Sequence, residues 1–532
     1  MTSAAAPQAR PDEGSLVDAL ARLLTARTGQ PVERRETHIS WILLSGDEVW
    51  KLKRPVRLPF VDFTRPETRH RCCEAEVRLN RRLAPGLYLG VLAVTGSADA
   101  LVVEPVAERP SDAADDAGAA ADATGSAGGA TGVLDWIVRM RRFPAGALFA
   151  ERLADGVLTA DDVERLARRL AAFDALAEVQ SDPVAADATA VEALKAVDRL
   201  QRLAPQRDGA QWAVPIARIA AWLTAAAARL RRMFGQRLQA GRVRDVHGDL
   251  HLANAIVHAG DVTAFDCLEF DDRLRRIDVI GDPAFLSMDL IAHGRPDLAH
   301  RHVDAWCEAA DDWQGLAVLR FHQVYRAAVR ALVAWLGAPA GQPGAARYLR
   351  TALSLIEDDG RRPVLTITHG LSGSGKSFAA LRRVEREGAI RLRSDVERKR
   401  LAGLAPLADS RAAGLDLYTP EWSARTYARL AALAETVLSA GCPVVVDAAF
   451  LKRAERQEFA ALARRRGADF RILDCQADTD SLRQRIVDRA RVGADPSEAT
   501  PAVLARQLGF VEPLDADERR AAVVERHASR GA

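Results

Sequence analysis

The chain has 532 residues, 48% of them hydrophobic and 27% charged, with a formal net charge of +2. That length exceeds what one hydrophobic core organises and calls for two or three domains. The near-neutral balance excludes a strong global field drawing the protein to nucleic acid or an anionic membrane. No apolar run reaches the roughly 18 residues of a membrane span, and the first residues lack the basic-then-apolar pattern of a secretory signal. The six cysteines (Cys72, Cys73, Cys267, Cys307, Cys442, Cys475) show no Cys-x-x-Cys metal spacing. They read as reduced thiols of a cytoplasmic protein.

Residues 1–34 form an extension whose first 13 or so residues read as disordered. Ser15 to Thr28 carries Leu16, Ala19, Leu20, Leu23 and Leu24 at helical spacing, and Gly29 stops it. Ser40 to Leu44 and Glu48 to Lys53 read as two strands joined by Ser45-Gly46-Asp47. Lys51 and Lys53 share one face of the second strand, so alternation cannot choose which would grip phosphates. Lys51, two residues after the small apolar Val49, is favoured. Two solvated lysines on an edge strand are the plain alternative. The following helix, Glu67 to Leu83, offers Glu74 and Glu76 as the acid that would pair with the lysine. Glu76, beside the apolar Val77 and Leu79, is preferred. Tyr88–Val94, Ala100–Val106 and Leu134–Met140 are further strands. Residues 109–132 lack periodicity and read as a flexible insert between them.

From Thr159-Ala160-Asp161-Asp162, which reads as a capping box with Asp in place of Glu, the chain turns helical. Leu166, Leu170 and Phe173 continue one apolar face, and Ala-rich helices are expected over about 186–203, 213–235, 284–310 and 313–336. Among them lies Val246-His247-Gly248-Asp249-Leu250-His251-Leu252-Ala253-Asn254, followed by Ala264-Phe265-Asp266. Asp249 and Asn254 at this spacing, with Asp266 beyond, suit phosphoryl transfer: one Asp beside the acceptor hydroxyl, the Asn and second Asp on Mg²⁺. Ala255–Val257 and Val262–Phe265 read as strands of a hairpin turning at Gly260-Asp261, which would return Asp266 to Asn254. Asp271, Asp272, Asp278, Asp282 and Asp289 follow, and most read as helix caps or arginine partners rather than acceptor ligands.

These motifs resemble the aminoglycoside phosphotransferase family, which shares its architecture with choline kinases and protein kinases. The likeness covers roughly residues 35–335, is specific at the catalytic loop and is loose before it. It implies transfer of the ATP γ-phosphate to a small-molecule hydroxyl. In that arrangement Asp249 is the base, Lys51 and Glu76 serve the nucleotide, Val138-Arg139-Met140 meets its base through the backbone, and Asn254 and Asp266 bind metal.

After a linker at 337–362, where Gly337 to Gly344 breaks the helical pattern and a helix runs on to about Ile356, a new domain opens. Val364 to His369 is a buried-type strand. Gly370-Leu371-Ser372-Gly373-Ser374-Gly375-Lys376-Ser377 follows and fits G-x-x-x-x-G-K-S, with a helix starting behind it. Such a loop turns backbone N–H groups inward around phosphates at a positive helix end. Lys376 would reach the phosphates and Ser377 the Mg²⁺. Gly370, Gly373, Ser374 and Gly375 would form the cradle. Arg391 to Arg398 resembles the acceptor segment of small P-loop kinases, such as polynucleotide-kinase and gluconate-kinase relatives. The resemblance makes Asp395 the base and Arg393 and Arg398 anion holders. An Asp N-capping a basic helix is the alternative. Pro443 to Asp447 reads as a strand whose Asp447 positions Mg²⁺, with Arg453 after a substrate loop. Arg483, Arg485, Arg489 and Arg491 stand where a lid would lie.

The fold class expected is α/β and α+β. A two-lobe protein-kinase-like domain spans 35–336, and a parallel-sheet P-loop domain of AAA type spans 363–532. The expected function is a bifunctional ATP- and Mg²⁺-dependent phosphotransferase acting on a small-molecule hydroxyl, a sugar or amino sugar. Two alternatives stand beside it: a single kinase regulated by its P-loop domain, and an ATP-binding interaction protein without an acceptor. Nucleic acid and membrane partners are not expected, and the oligomeric state is not readable.

Overall fold

The computed structural model describes residues 13–526, apart from 59–60, 98–99, 107–131, 207–209, 337–342 and 493–494. The start expected to be disordered, nearly all of the expected insert and most of the 337–344 breaker therefore lie outside the described residues. Packing divides the chain into two compact units, residues 1–158 with 247–276, and 159–246 with 277–532. This division cuts through the expected 35–336 domain. The catalytic-loop segment packs with the first sheet, whereas the helices after Thr159 pack on one another and on the P-loop region.

In the first unit, α1 (Glu13–Thr28) precedes six antiparallel strands. These are β1 (Glu33–Glu36), β2 (Ser40–Ser45), β3 (Glu48–Lys53), β4 (Tyr88–Ser97), β5 (Ala100–Pro105) and β6 (Val133–Arg141). Their order in the sheet is β1-β2-β3-β6-β4-β5, and β1 is a strand the sequence pattern did not announce. Alternation along β3 sorts its side chains. Trp50 and Leu52 pack under α1 with Leu16, Leu20 and Leu24. Val49 packs on the other face with Cys73 and Val77 of α2 (Pro66–Asn80). Lys51 and Lys53, in phase with Val49, therefore face α2. Residues 138–140, the expected base-contacting segment, sit inside β6, paired with β3 on one side and β4 on the other. Their backbone groups are committed to the sheet and are not open to a base as expected.

The hairpin forms, with its turn at Ala259-Gly260 rather than Gly260-Asp261 and its second strand ending at Ala264. β7 (Ala255–His258) and β8 (Asp261–Ala264) pair from Ala255↔Ala264 to His258↔Asp261. Ala259 and Gly260 have φ of 51° and 78° at the two-residue turn, the conformation that suits strand twist.

The second unit begins with α3 (Ala160–Leu176), where Thr159 and Asp162 exchange both bonds of a capping box. Leu166 and Leu170 are fully buried on its inner face. Then come α4 (Val184–Leu203) and α5 (Ala213–Gln239). The latter is long and apolar enough for a membrane span by composition, with a mean hydropathy of 1.3 over its best window. Its stripe of Ile216, Ile219, Leu223 and Ala226 is buried, and its Arg218 and Arg229 pair with Glu357 and Asp359. The single helix expected over 284–310 is two helices, α6 (Gly281–Ala292) and α7 (Pro296–Ala310). Gly294 at φ 78° ends the first, and the proline cannot continue it. α8 (Leu316–Leu336) and α9 (Pro343–Glu357) complete this helical part.

The P-loop region is a five-stranded parallel sheet. In chain order its strands are β9 (Val364–His369), β10 (Ile390–Arg393), β11 (Val444–Asp447), β12 (Asp469–Gln476) and β13 (Ala522–Arg526). They are arranged β10-β11-β9-β12-β13. β9 is central, and the strand order reverses around it, which is where open parallel sheets take ligands at their carboxyl ends. The connecting helices include α10 (Lys376–Glu387), α11 (Ser394–Leu401), α12 (Pro420–Ser439), α13 (Arg453–Arg465), α14 (Thr479–Val492) and α15 (Pro501–Phe510). The fold class read from the sequence thus holds: an antiparallel sheet with a lysine on its third strand, helices, and a parallel P-loop sheet.

Candidate functional sites

The first site gathers on the hairpin and β3. Phe265 N–H donates to Asn254 O at 3.0 Å, so the hairpin sets Asp266 beside Asn254. The Asn254 amide donates to the Asp249 carbonyl at 2.9 Å and to its carboxylate at 3.2 Å. His247 holds the loop from behind. Its Nδ1 accepts from Asp249 N–H, which leaves Nε2–H to donate to Phe265 O at 2.9 Å. Gly248 has φ 80°, and a Cβ there would stand 2.9 Å from Leu274 O, so the His-Gly-Asp turn needs its glycine. Asp266 itself has φ 60°, a left-handed conformation that Asp tolerates better than most residues. Its N–H donates to the buried Tyr88 hydroxyl at 3.1 Å.

Lys51 Nζ lies 2.8 Å from Glu76 Oε1 and 2.5 Å from Asp266 Oδ1. Lys53, left open with Lys51 by the sequence, takes the other Glu76 oxygen at 2.7 Å and also pairs with Glu269. Lys51 thus bridges Glu76 and Asp266, whereas Lys53 bridges Glu76 and Glu269. Glu74 faces His70 on its own helix instead. Burial works against the Lys51 ammonium, but Asp266 and Glu76 overcome it and hold its pKa well above the ordinary value. Burial likewise opposes the Glu76 carboxylate, yet the two lysines bring its pKa down to about 2. Glu269, Lys53 as a Glu76 partner, and Tyr88 were missed by motif reasoning. The one signal for Glu269 is a charge inside the apolar run Cys267-Leu268-Glu269-Phe270.

The later acids resolve mostly into partners. Asp271 caps a short turn and Asp272 pairs with Arg275. Asp278 pairs with buried Arg237, and Asp289 accepts from Tyr348.

The second site lies at the end of β9. Lys376 is half-buried and curls back to donate to Leu371 O at 2.8 Å. Burial lowers its pKa, while Asp447, Cys475 and Asp395 push the other way. Both expected carboxylates are therefore electrostatic neighbours of this ammonium. Ser372 N–H donates to Gln507 Oε1 of α15 at 2.9 Å. Asp395 is not a helix cap: Arg393 holds the cap position of α11 without a side-chain bond. Instead Asp395 faces the Tyr418 hydroxyl at 3.4 Å, which also accepts from Glu498 N–H at 3.2 Å. Arg398 is not placed as an anion holder. It donates to Leu417 O and stacks over the Tyr418 ring, 4.8 Å from its centroid. Arg393 lies 3.7 Å from Glu308 and 3.9 Å from Asp495. The four lid arginines are on α14, where Arg485 donates to Gly373 O at 3.3 Å. Arg489 reaches toward Asp495, while exposed Arg483 and Arg491 pair with aspartates one turn away. Arg453, half-exposed, lies 3.7 Å from Asp515.

The donor sets suit Mg²⁺ with a triphosphate. Asn254 with Asp266, and Ser377 with Asp447, could offer hard oxygens; Lys51 contacts Asp266, and Lys376 has Asp447 as an electrostatic neighbour. Among the described residues no cluster of three or more His, Cys, Asp or Glu suited to an all-protein metal site occurs.

Residues 365–514 match the AAA domain family. An uncharacterised protein of Mycobacterium tuberculosis is 29% identical to this chain over 495 residues, covering 91% of this chain and 92% of its own length. Among solved structures, a choline/ethanolamine kinase family protein from Mesorhizobium loti is similar at 13% identity. It covers 64% of this chain and 95% of its own, with a TM-score of 0.36. An amicoumacin kinase is similar at 12% identity, with 66% and 95% coverage and a TM-score of 0.38. A gluconokinase from Sinorhizobium meliloti is similar at 26% identity, with 32% and 85% coverage and a TM-score of 0.22.

Proposed function

We propose that this chain is an ATP-dependent phosphotransferase with two nucleotide sites, the first acting on a hydroxyl of a small molecule such as a sugar or amino sugar. The observation that carries this reading is Lys51 joined at once to Glu76 and Asp266, at 2.8 and 2.5 Å. A lysine held this way can grip phosphates while the same Asp reaches metal. Asp249 orients the acceptor hydroxyl and takes its proton as the oxygen attacks the γ-phosphorus and ADP leaves. Mg²⁺ supplies charge neutralisation, held by Asn254 and Asp266 in one site and by Ser377 and Asp447 in the other. Positioning and electrostatics suffice for such a transfer, without a covalent intermediate. In the second site Lys376 and the loop amides hold phosphate, and Asp395, steadied by Tyr418, serves as base. We place the domain boundary at 337–362. The free state of all six cysteines fits a reducing, cytoplasmic setting.

The test is phosphate transfer from labelled ATP to a panel of sugars, amino sugars and nucleosides by wild type, Asp249→Ala and Lys376→Ala. Loss of a different product in each variant is expected. Unchanged labelling in Asp249→Ala would overturn the first assignment.

A second reading makes the P-loop region a regulator of the first site, and one observation favours it. α7 is fastened to the stretch on both sides of Asp395: Asp304 Oδ1 accepts from Arg391 N–H at 2.6 Å, and Arg400 donates to Glu308 O at 2.5 Å. In that case Lys376→Ala changes the rate of one product and removes none.

A further inference from the structure

We propose that Lys53 and Glu269 are positioning residues of the first site, a second buried ion pair that keeps Glu76 and the Asp266 loop assembled before any ligand arrives. The inference rests on the phosphotransfer reading for its functional consequence, but its geometry stands by itself.

A lysine–glutamate pair of the usual kind uses one carboxylate oxygen well. Here Glu76 is fully buried, and its second oxygen would lack a partner if Lys51 were the only lysine, an expensive arrangement away from water. Lys53 supplies that partner at 2.7 Å. It is itself 2% exposed, its ammonium 5.2 Å from the centroid of the Phe63 ring, so solvent does not serve it either. Its remaining charge demand is met by Glu269.

The pairing has a geometric consequence. Lys51 and Lys53 are alternate residues of one strand, roughly 7 Å apart along it. Asp266 and Glu269 are three residues apart on one loop. Two lysines thus hold the loop at two points, and Glu76 ties the lysines together from α2. The loop backbone is anchored as well, Cys267 N–H donating to Asn80 Oδ1 at 2.8 Å and Leu268 N–H to His247 O at 3.2 Å. The two lysines add a hold on its acidic side chains, which matters for a residue kept at a left-handed φ of 60°. In kinase-like sites, forming or breaking the lysine–glutamate pair switches activity. The doubled clamp removes that freedom and leaves a site that is assembled constitutively.

Lys53→Met and Glu269→Gln test this in the full chain. Each is expected to lower Asp249-dependent turnover by about 100-fold, the scale of a small displacement at the reacting centre. Each should also raise the Mg²⁺ concentration for half-maximal rate and leave the acceptor KM unchanged. The double variant should be no worse than the poorer single one, because both break the same clamp. In the protein without nucleotide or metal, hydrogen exchange over residues 264–270 should accelerate in both variants. Wild-type turnover and wild-type exchange in either variant would overturn the proposal. So would a loss of turnover with unchanged Mg²⁺ dependence and unchanged exchange over 264–270, the mark of a remote structural defect. Glu269→Gln keeps the side-chain volume and decides the matter if Lys53→Met does not fold. Should wild type itself show no Asp249-dependent turnover, the phosphotransfer reading fails, and the exchange experiment still judges the clamp.

Discussion

Each oxygen of the Glu76 carboxylate meets a different lysine, and this division sets how the first site answers acid. Its pKa is about 2 against an ordinary 4.5, the two lysines outweighing burial. Glu269 goes the other way: burial raises it, against the pull of Lys53 first and Lys51 second. A depressed carboxylate contributes stability that is complete above its unfolded pKa and is lost as pH falls through the folded one. For Glu76 that window runs from about pH 5 down to about 2. Hydrogen exchange of the α2 amides is therefore expected to lose protection across this range in wild type. Glu76→Gln should start less protected at pH 7 and change much less on acidification. An equal acid response in both proteins would place the acid sensitivity elsewhere. The apolar neighbours Val77 and Leu79 were enough to prefer Glu76 over Glu74 in the sequence. Lys51 against Lys53 was not decidable, because two residues in phase on a strand share every one-dimensional property.

Elements with strong local grammar were legible, and those defined by distant partners were not. The β2–β3 strands, the Ala255–Ala264 hairpin, the Thr159 cap and β9 with its P-loop stand where spacing and turn residues place them. β1 and β13 escaped notice because Glu33–Glu36 and Ala522–Arg526 lack alternation and are strands only through their neighbours. The lid arginines were legible as a cluster but not as a helix face, and that face explains one glycine. Gly373 has φ 84°, and a Cβ there would stand 2.7 Å from Leu482 O on α14, the same helix whose Arg485 bonds Gly373 O. Gly373→Ala must both strain the loop and push α14 away, at a cost on the order of 1–3 kcal/mol. The expected result is loss of the Lys376-dependent share of ATP binding in a titration calorimeter. Turnover at the first site should remain unless the P-loop region regulates it. Binding at wild-type affinity would show that α14 yields freely.

At the scale of the molecule, a buried acid is among the groups that join the second unit's helical part to its parallel sheet. β10 is an edge strand, and an open edge leaves N–H groups seeking partners. Asp304 of α7 covers that edge, taking Arg391 N–H at 2.6 Å, with the Arg391 guanidinium 3.6 Å from its other oxygen. Burial raises the Asp304 pKa to about 7 despite the pull of Arg391. A carboxyl raised above its unfolded value favours folding fully at acid pH and loses that contribution as pH climbs from about 4 to about 7. Asp304→Asn keeps an acceptor for the N–H and removes the titration. Its melting temperature should fall less than that of wild type between pH 5 and pH 8, whereas Asp304→Ala, lacking the acceptor, should melt lower at both. An Asn variant with the wild-type pH slope would refute the assignment. Because β10 runs directly into Asp395, the same two variants also measure coupling. If Asp304→Ala alters Asp249-dependent turnover at a temperature where the chain stays folded, the junction transmits a signal and the regulatory reading gains. If only the Lys376-dependent reaction responds, the two sites share a chain but work separately.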